Sequence, residues 1–266
     1  MTDGIQAQST QGLADRPSDE QIVQELMALQ QRSPALGLLQ FESLIRANQY
    51  RRLYRLVRNY LVPGQSVLDW GCGNGHFSYF LTRSGYQASG FALHSLALRE
   101  TLEPGGLKFA LGPADEVAKL PYDACQFDGV VSVGVLEHVR EVGGQEIASL
   151  REIWRILKPG GLFLCYHLPN TYSLIEWMAS YLPRMHHHAY RYTQKDIAQL
   201  CQQADFDLMA VERYGALPRN IWSRLPGFGN SSWLANGIEP LDRGLGLIFS
   251  GICQNYYFVA QKPPDD

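Results

Sequence analysis

The sequence predicts an α/β fold in which helices cover both faces of a mostly parallel sheet. From residue 63 onward, short apolar runs alternate with helical stretches, and Gly and Pro mark the changes between them. Strands that alternate with helices form right-handed βαβ units, which pair their strands in parallel. The run Asp128-Gly-Val-Val-Ser-Val133 contains three valines, and it is expected to form a strand that is buried on both faces.

The elements follow from these patterns in chain order. Residues 1–17 are polar and are expected to form a disordered lead, and residues 18–62 are expected to form a helical lid. In the lid, Ser18 and Gln21 make a capping box that begins a helix ending near residue 31, and a second helix is predicted over residues 36–60. Strands are predicted at residues 66–70, 87–91, 107–110, 129–133 and 162–167, and the apolar segments 207–211 and 255–260 are expected to complete the sheet. Helices are predicted at residues 75–83, 95–101, 145–157 and 172–181, with a turn near Asp115 and a last helix capped by Thr193 and Asp196.

The composition argues against several classes of protein. The 266 residues carry a formal net charge of −3, and only 18% of them are charged. A nucleic-acid binder would carry a basic excess, so no nucleic-acid partner is expected. The five cysteines form no C-x-x-C pair, which favours reduced thiols and a cytoplasmic location. We expect neither a signal peptide nor a membrane-spanning segment, while peripheral membrane contact stays open.

The sharpest motif is a glycine loop between the first predicted strand and the helix that follows it. The strand carries Asp69 near its end, and Gly71, Gly73 and Gly75 follow at alternate positions. Glycine lets a backbone turn sharply and approach a ligand closely, and the N–H groups of a helix start favour an anionic or polar group. A dinucleotide fingerprint would need its third glycine at position 76, where the chain has His76.

The D-x-G-x-G-x-G spacing resembles motif I of the class I S-adenosylmethionine-dependent methyltransferases. Residues 125–139 look like the fourth strand and following loop of that family, and residues 157–164 look like the turn into its fifth strand. The loop Leu136-Glu-His-Val139 and the segments 168–178 and 190–193 are most similar to the ubiquinone-biosynthesis O-methyltransferases. The resemblance implies a Rossmann-like class I fold with a seven-stranded sheet. It also implies one methyltransferase domain over residues 63–262, with insertions at 171–192 and 217–250 that cap the acceptor.

The resemblance also implies which residues bind S-adenosylmethionine. Asp69 and the three loop glycines would hold the methionine end, and the backbone of Val133 would line the cofactor. The family usually ends its second strand in an acid that accepts both ribose hydroxyls, but here Ala92 takes that place and Leu93 follows it. The family's Gly-Asp-Ala turn after the third strand reads Gly-Pro-Ala here. Ala114 and the nearby Asp115, the candidate substitute for the missing acid, complete the predicted cofactor site.

The predicted catalytic residues lie where α/β ligands bind, at the carboxyl ends of the strands. Methyl transfer is an in-line displacement, and an oxygen nucleophile also needs a base to take its proton. Glu137 and His138 follow the fourth strand, and His187 aligns with a histidine of the ubiquinone-type enzymes. His167, at the end of the fifth strand, is a further candidate. Those relatives carry a second Glu where this chain has Gly134, so no bound metal is predicted.

The function predicted from the sequence is transfer of a methyl group from S-adenosylmethionine to a hydroxyl of a small molecule. Residues 217–248 are rich in Trp, Phe and Leu, which suggests an aromatic or lipid-like acceptor. Two alternatives stay open. Because acids are missing from the expected cofactor site, the chain could be a partner or scaffold protein with weakened or lost cofactor binding. It could also be an N- or C-methyltransferase of the same fold. The sequence leaves the oligomeric state open.

Overall fold

The computed structural model describes residues 16–112, 118–181, 187–218 and 229–265. Its centre is one seven-stranded sheet with the order β3-β2-β1-β4-β5-β7-β6. Neighbouring strands pair in parallel from β3 to β5, and β7 runs antiparallel to both β5 and β6. The strands are β1 Ser66–Trp70, β2 Gln87–Ala92, β3 Lys108–Leu111, β4 Phe127–Val133, β5 Leu157–Pro169, β6 Asp207–Tyr214 and β7 Asn255–Gln261. The predicted fold class is confirmed.

Helices cover both faces of this sheet. Among the described residues, the α-helices are α1 Asp19–Arg32, α2 Leu44–Asn48, α3 Tyr50–Tyr60, α4 His76–Arg83, α5 Arg99–Leu102, α6 Glu146–Ile156, α7 Leu174–Tyr181, α8 Gln194–Gln203 and α9 Ser232–Ile248. One apolar core joins α1, α3 and α4 to the sheet, and a second joins α6 and α8 to its other face. Within the described ranges, no helix combines the length and the apolar character that crossing a bilayer requires.

The predicted lid helix over residues 36–60 is wrong in its continuity. Gly37 adopts a left-handed conformation with φ +64°, and the N–H of Leu38 donates to the side chain of Gln30 instead of continuing a helix. Ser43 is extended, with φ −142° and ψ 150°. Two short 3-10 turns at Pro34–Leu36 and Leu39–Phe41 therefore precede α2 and α3. Side-chain hydrogen bonds and a glycine break the pattern that periodicity alone would continue.

The lid is attached directly to the glycine loop. The Asn74 side chain donates to the carbonyl of Gly37 at 2.6 Å. The ring of His76, which stands where a dinucleotide fingerprint needs glycine, packs against Tyr50 of α3 at a centroid distance of 4.7 Å. Burial lowers the pKa of His76 to about 4, so the ring stays neutral. The lid therefore forms one packed unit with the loop that it covers.

Residues 217–250 contain a helix that the sequence did not predict. Helix α9 holds 17 residues, including Pro240, and Ser231 caps its start by accepting from the N–H of Leu234. Its glycines and proline hide the helical pattern, because both residue types normally disfavour helix interiors. The predicted lead at residues 1–15 and the predicted turn at Asp115 lie outside the described residues.

Candidate active site

The glycine loop turns sharply at the carboxyl end of β1. Gly71, Gly73 and Gly75 have φ values of +76°, +52° and +90°, a region that other residues rarely adopt. The N–H groups of Gly71 and Cys72 both donate to the carbonyl of Phe91 at the end of β2. A Cβ atom at Gly71 would lie 2.5 Å from the Cγ2 atom of Val135. The loop backbone therefore approaches the segment after β4 more closely than any side chain would permit.

A cleft of about 480 Å³ lies beside this loop, at the carboxyl ends of β1, β2 and β4. That volume is within the range of small-molecule and cofactor pockets. Four of the predicted cofactor residues line it: Gly71, Gly73, Ala92 and Leu93. Among the described residues that line the cleft, none carries a carboxylate. Its walls are mainly apolar. Trp70 and Phe91 are large side chains in these walls, and the sequence analysis did not predict that they line the cleft.

Asp69 is a buried residue near the end of β1, next to the glycine loop. Its side chain is 1% exposed, and it accepts a 2.6 Å hydrogen bond from the hydroxyl of Ser78 on α4. Burial raises the pKa of Asp69 to about 7. The carboxyl group thereby ties the end of β1 to the helix that follows. Gly75, the residue just before α4, contributes the last turn of the loop.

The other predicted cofactor residues divide into two groups. Ala114 and Asp115 lie outside the described residues. Val133 ends β4 and packs against the core, while the next two residues, Gly134 and Val135, line the cleft. Val133 as a cofactor-binding residue stays a prediction, and the cleft lining begins one residue further on, at Gly134.

Three side chains meet next to the cleft, and we call Glu137, His138 and His188 the acid–imidazole cluster. Glu137 is 2% exposed, and its Oε1 atom lies 4.0 Å from Nε2 of His138. The rings of His138 and His188 have centroids 5.6 Å apart. One polar atom from each of the three residues lies within 4.8 Å of the other two. His138 also lines the cleft, so the cluster adjoins the predicted cofactor site.

Two further carboxylates hold the imidazoles of the cluster. Glu141 lies 2.9 Å from Nδ1 of His138. Glu176 of α7 accepts from the backbone N–H of His188 at 2.9 Å and lies 3.2 Å from its Nδ1 atom. A carboxylate at Nδ1 fixes the orientation of an imidazole ring and directs its Nε2 atom outward.

The pKa shifts of this region have distinct causes. Burial raises the pKa of Glu137 to about 7, and its Oε2 atom has no hydrogen-bond partner among the described residues. Burial alone would also raise the pKa of Glu176, but the hydrogen bonds from His188 outweigh it and lower the pKa to about 2. Burial would lower the pKa of His188, but Glu176 raises it above its ordinary value. Glu137 is thus a buried carboxyl that is poised to exchange a proton near neutral pH.

The same three donors could also hold a divalent cation, because two imidazoles and a carboxylate suit such ions. The prediction of no metal depended on Gly134, where the ubiquinone-type enzymes carry a second Glu. The structure brings His188 to the cluster from a different part of the chain. The absence of a metal stays a prediction.

The predicted histidines His138 and His187 lie in different surroundings. His138 joins the cluster, whereas His187 is exposed on its loop. The next residue, His188, makes the contacts with Glu176 and the cluster, and His187 as a catalytic residue stays a prediction. The signal that could have found His188 is only its place in the run 186–188, since nothing local distinguishes the three. Glu176 gave no signal, because it lies on a predicted helix 12 residues away.

Comparison with known proteins agrees with this geometry. Residues 43–211 match a family model described as a methyltransferase domain. A ubiquinone biosynthesis O-methyltransferase from Albidiferax ferrireducens is 29% identical over 180 residues, which cover 62% of this chain and 70% of that protein.

Solved structures show the same fold. A SAM-dependent methyltransferase from Methanosarcina mazei superposes with a TM-score of 0.55 at 21% identity, covering 79% of this chain and 98% of the other. The 1,6-didemethyltoxoflavin-N1-methyltransferase of Burkholderia thailandensis, solved with S-adenosylhomocysteine, gives 0.52 at 19% identity and covers 80% and 77%. Because the matched family range runs from the lid through the start of β6, the chain belongs to the methyltransferase domain family, as a class I methyltransferase whose cofactor is S-adenosylmethionine.

Proposed function

We propose that the protein transfers the methyl group of S-adenosylmethionine to a hydroxyl oxygen of a small molecule. One observation carries this proposal: Glu137 is buried, one of its oxygens has no hydrogen-bond partner among the described residues, and it lies beside His138, which lines the cofactor cleft. A hydroxyl must lose its proton as it attacks a methyl group. A buried carboxyl whose pKa is near 7 can accept that proton at neutral pH.

The proposed step is a single displacement. The hydroxyl oxygen forms a bond to the methyl carbon while the bond between that carbon and the sulfonium sulfur breaks. The hydroxyl proton passes to the Glu137 carboxylate, and the sulfur leaves as a neutral thioether in S-adenosylhomocysteine. His138, whose Nδ1 atom lies 2.9 Å from Glu141, has its Nε2 atom 4.0 Å from the Glu137 carboxylate. The mainly apolar walls of the cleft favour exclusion of water once cofactor and acceptor fill it, so that water would not compete with the acceptor.

An amine acceptor is the main alternative within the same fold. A neutral amine attacks with its lone pair and needs no base before the displacement, so Glu137 would be dispensable for it. The name of the Albidiferax relative favours an oxygen acceptor, and the Burkholderia enzyme shows that the fold also accommodates N-methylation.

A second candidate function is that of a scaffold with weakened cofactor binding. Two features favour this candidate. Among the described residues that line the cleft, none carries a carboxylate, and β2 ends in Ala92. A charge-assisted hydrogen bond to a ribose hydroxyl contributes about 1.5–3 kcal/mol, so its loss would weaken binding by roughly 10- to 150-fold. This candidate predicts no methyl transfer to any acceptor.

The test combines cofactor binding with acceptor screening. Calorimetry with S-adenosylmethionine measures affinity, and transfer of a labelled methyl group is followed with matched panels of phenols, aliphatic alcohols and amines. We expect hydroxyl methylation and a drop in kcat of roughly 10²- to 10⁴-fold in Glu137→Gln. Glu103→Gln is the control, because that carboxylate lies on the surface, where it pairs with Arg99 away from the cluster. Methylation of amines alone, or full activity in Glu137→Gln, would overturn the proposal, and absence of cofactor binding would favour the scaffold.

A further inference from the structure

Glu146 is a buried acidic residue that the proposed step does not use. It is the first residue of α6 and is 3% exposed. A carboxylate at the start of a helix is favoured by the helix dipole, and an exposed side chain would serve that purpose as well. Here the carboxylate is buried, and two other parts of the chain donate hydrogen bonds to it. These contacts indicate a role beyond stabilising the helix start.

The first contact comes from the 3-10 turn Leu136–Val142, which carries two members of the acid–imidazole cluster. The Nε atom of Arg140, in this turn, lies 2.7 Å and 2.8 Å from the two carboxylate oxygens of Glu146. The turn ends at Gly143, which has a left-handed φ of +82° and reverses the chain shortly before α6. Arg140 therefore ties the turn to the start of the helix that follows it.

The second contact comes from residues 187–192, which we call the histidine segment because it contains His188. The hydroxyl of Tyr192, a residue that is 5% exposed, donates to Oε1 of Glu146 at 2.8 Å. The backbone N–H of Tyr192 donates to the carbonyl of Pro169 at the end of β5 at 2.9 Å. Tyr192 thus fixes the end of the histidine segment between β5 and the start of α6.

Arg140 also connects the turn to the histidine segment directly. Its guanidinium carbon lies 5.0 Å from the ring centroid of Tyr190, which adds a cation–π contact to the hydrogen bonds at Glu146. Burial by itself would raise the pKa of Glu146, but its hydrogen bonds, the one from Arg140 foremost, outweigh burial and lower that pKa. The carboxylate is therefore charged at neutral pH, and both segments are bonded to one buried anion.

We propose that Glu146 is the positioning residue of the acid–imidazole cluster. Its carboxylate, bonded by Arg140 and Tyr192, fixes the turn relative to the histidine segment. It thereby sets the geometry in which Glu137 takes a proton from the acceptor. The inference rests on the proposed function and deepens it. Reacting groups must be held closely in place, since a misplacement of about 1 Å can lower a rate on the order of 100-fold.

The first test needs no acceptor and measures the cluster itself. The rings of His138 and His188 have centroids 5.6 Å apart, close enough for a nuclear Overhauser effect between ring protons in protein with isotope-labelled histidine. His138→Gln assigns the signal. We expect Glu146→Gln to weaken it, because an amide accepts at one oxygen whereas both carboxylate oxygens accept here. We expect Tyr192→Phe to weaken it as well.

Tyr86→Phe is the matched control for the first test. Tyr86 is likewise buried, and its hydroxyl donates to the backbone carbonyl of Leu61, in the loop before β1. The control should keep the full signal. Absence of the signal in the wild type would overturn the inference, and so would an undiminished signal in Glu146→Gln. If Glu146→Gln does not fold, Tyr192→Phe decides the test, because it removes only one hydroxyl.

The second test is a double-mutant cycle in turnover, with 1-naphthol or the fastest hydroxyl substrate of the phenol and alcohol panels. We expect Glu146→Gln to lower kcat roughly 10- to 100-fold and to leave the affinity for S-adenosylmethionine unchanged. In a Glu137→Gln background the same change should lower kcat no further, because its effect is exerted through Glu137. A residue that only stabilises the fold would lower kcat by the same factor in both backgrounds.

Glu152→Gln is the matched control for the second test. Glu152 lies on α6 as well and is bonded by Arg155, but it has no contact with the turn or the histidine segment among the described residues. Its kcat should stay unchanged. Equal effects of Glu146→Gln in the two backgrounds would overturn the inference. Failure of the wild type to methylate any hydroxyl would overturn the proposed function instead, and the Overhauser measurement would then decide whether Glu146 positions the cluster.

Discussion

The close approach of Gly71 to Val135 makes Gly71→Ala a sharp test of the cofactor cleft. An alanine there must adopt φ +76°, which costs about 1–2 kcal/mol for a residue with a Cβ atom. The new methyl would also lie 2.5 Å from Cγ2 and 2.8 Å from Cγ1 of Val135, where carbon atoms normally stay about 3.5–4.0 Å apart. Relief of that overlap requires a shift of roughly 1 Å, and overpacking of this kind costs about 1–3 kcal/mol.

Because Val135 lines the cleft, the shift should change ligand binding as well as stability. We expect Gly71→Ala to weaken S-adenosylmethionine by roughly 10- to 150-fold, the equivalent of about 1.4–3 kcal/mol, as measured by titration calorimetry. Gly106→Ala is the matched control: φ there is +94°, but no contacting atom of the described residues lies within 4 Å of the added Cβ. The control should lose about 1–2 kcal/mol in chemical denaturation and keep its cofactor affinity.

A double variant separates steric overlap from backbone strain. Val135→Ala removes both methyl groups that the new Cβ would contact and leaves only the Cβ atom at 3.2 Å. In the Gly71→Ala background it should recover most of the lost affinity, whereas strain at position 71 would remain. Cofactor affinity in Gly71→Ala equal to that of Gly106→Ala would refute the reasoning, since it would show that the bound cofactor does not sense this contact.

Three further outcomes follow from the site. If the chain has lost an acid that binds the ribose, Ala92→Asp should raise the affinity for S-adenosylmethionine by roughly 10-fold or more, and Ala92→Asn should not. Equal affinities of Ala92→Asp and the wild type in a calorimetric titration would argue that other residues have rebuilt the ribose site. Turnover of a hydroxyl acceptor should rise with pH through about 7 as Glu137 loses its proton, and a pH–rate profile of Glu137→Gln should lack that rise. Glu176 has a folded-state pKa of about 2 against 4.5 when unfolded, so its stabilising effect is present above pH 4.5 and is lost as pH falls toward 2. The free energy of unfolding should fall by at most about 3 kcal/mol, because the interaction that lowers the pKa of Glu176 is shared with His188. Chemical denaturation of Glu176→Gln should not show this fall.

Local patterns predicted the fold and the glycine loop well. Alternating strands and helices, turn residues and the spacing of Gly71, Gly73 and Gly75 are properties of neighbouring residues, so the sequence displays them directly. Prediction was poorer in the lid. Gly37 and the side chain of Gln30 interrupt a helical pattern there through contacts that periodicity cannot express.

The acid–imidazole cluster was predictable only in part, for the same reason. Glu137 and His138 are adjacent in the chain and follow a buried strand, so their position at the sheet edge could be inferred. His188 could not be chosen from its run of three histidines, because the choice depends on Glu176 of α7. The burial that raises the pKa of Glu137 is likewise a property of the packed structure and not of the local segment.

The amino-acid sequence alone established the succession of strands along the chain, the glycine loop and the family to which the chain belongs, since each is encoded in short segments. Tertiary structure decided which side chains come together beside the cleft. Tyr214 reaches His167 from 47 residues away only because β7 pairs with both β5 and β6. Proximity between distant residues depends on strand pairing and packing, and these determine the protonation and orientation of the groups that the chemistry needs.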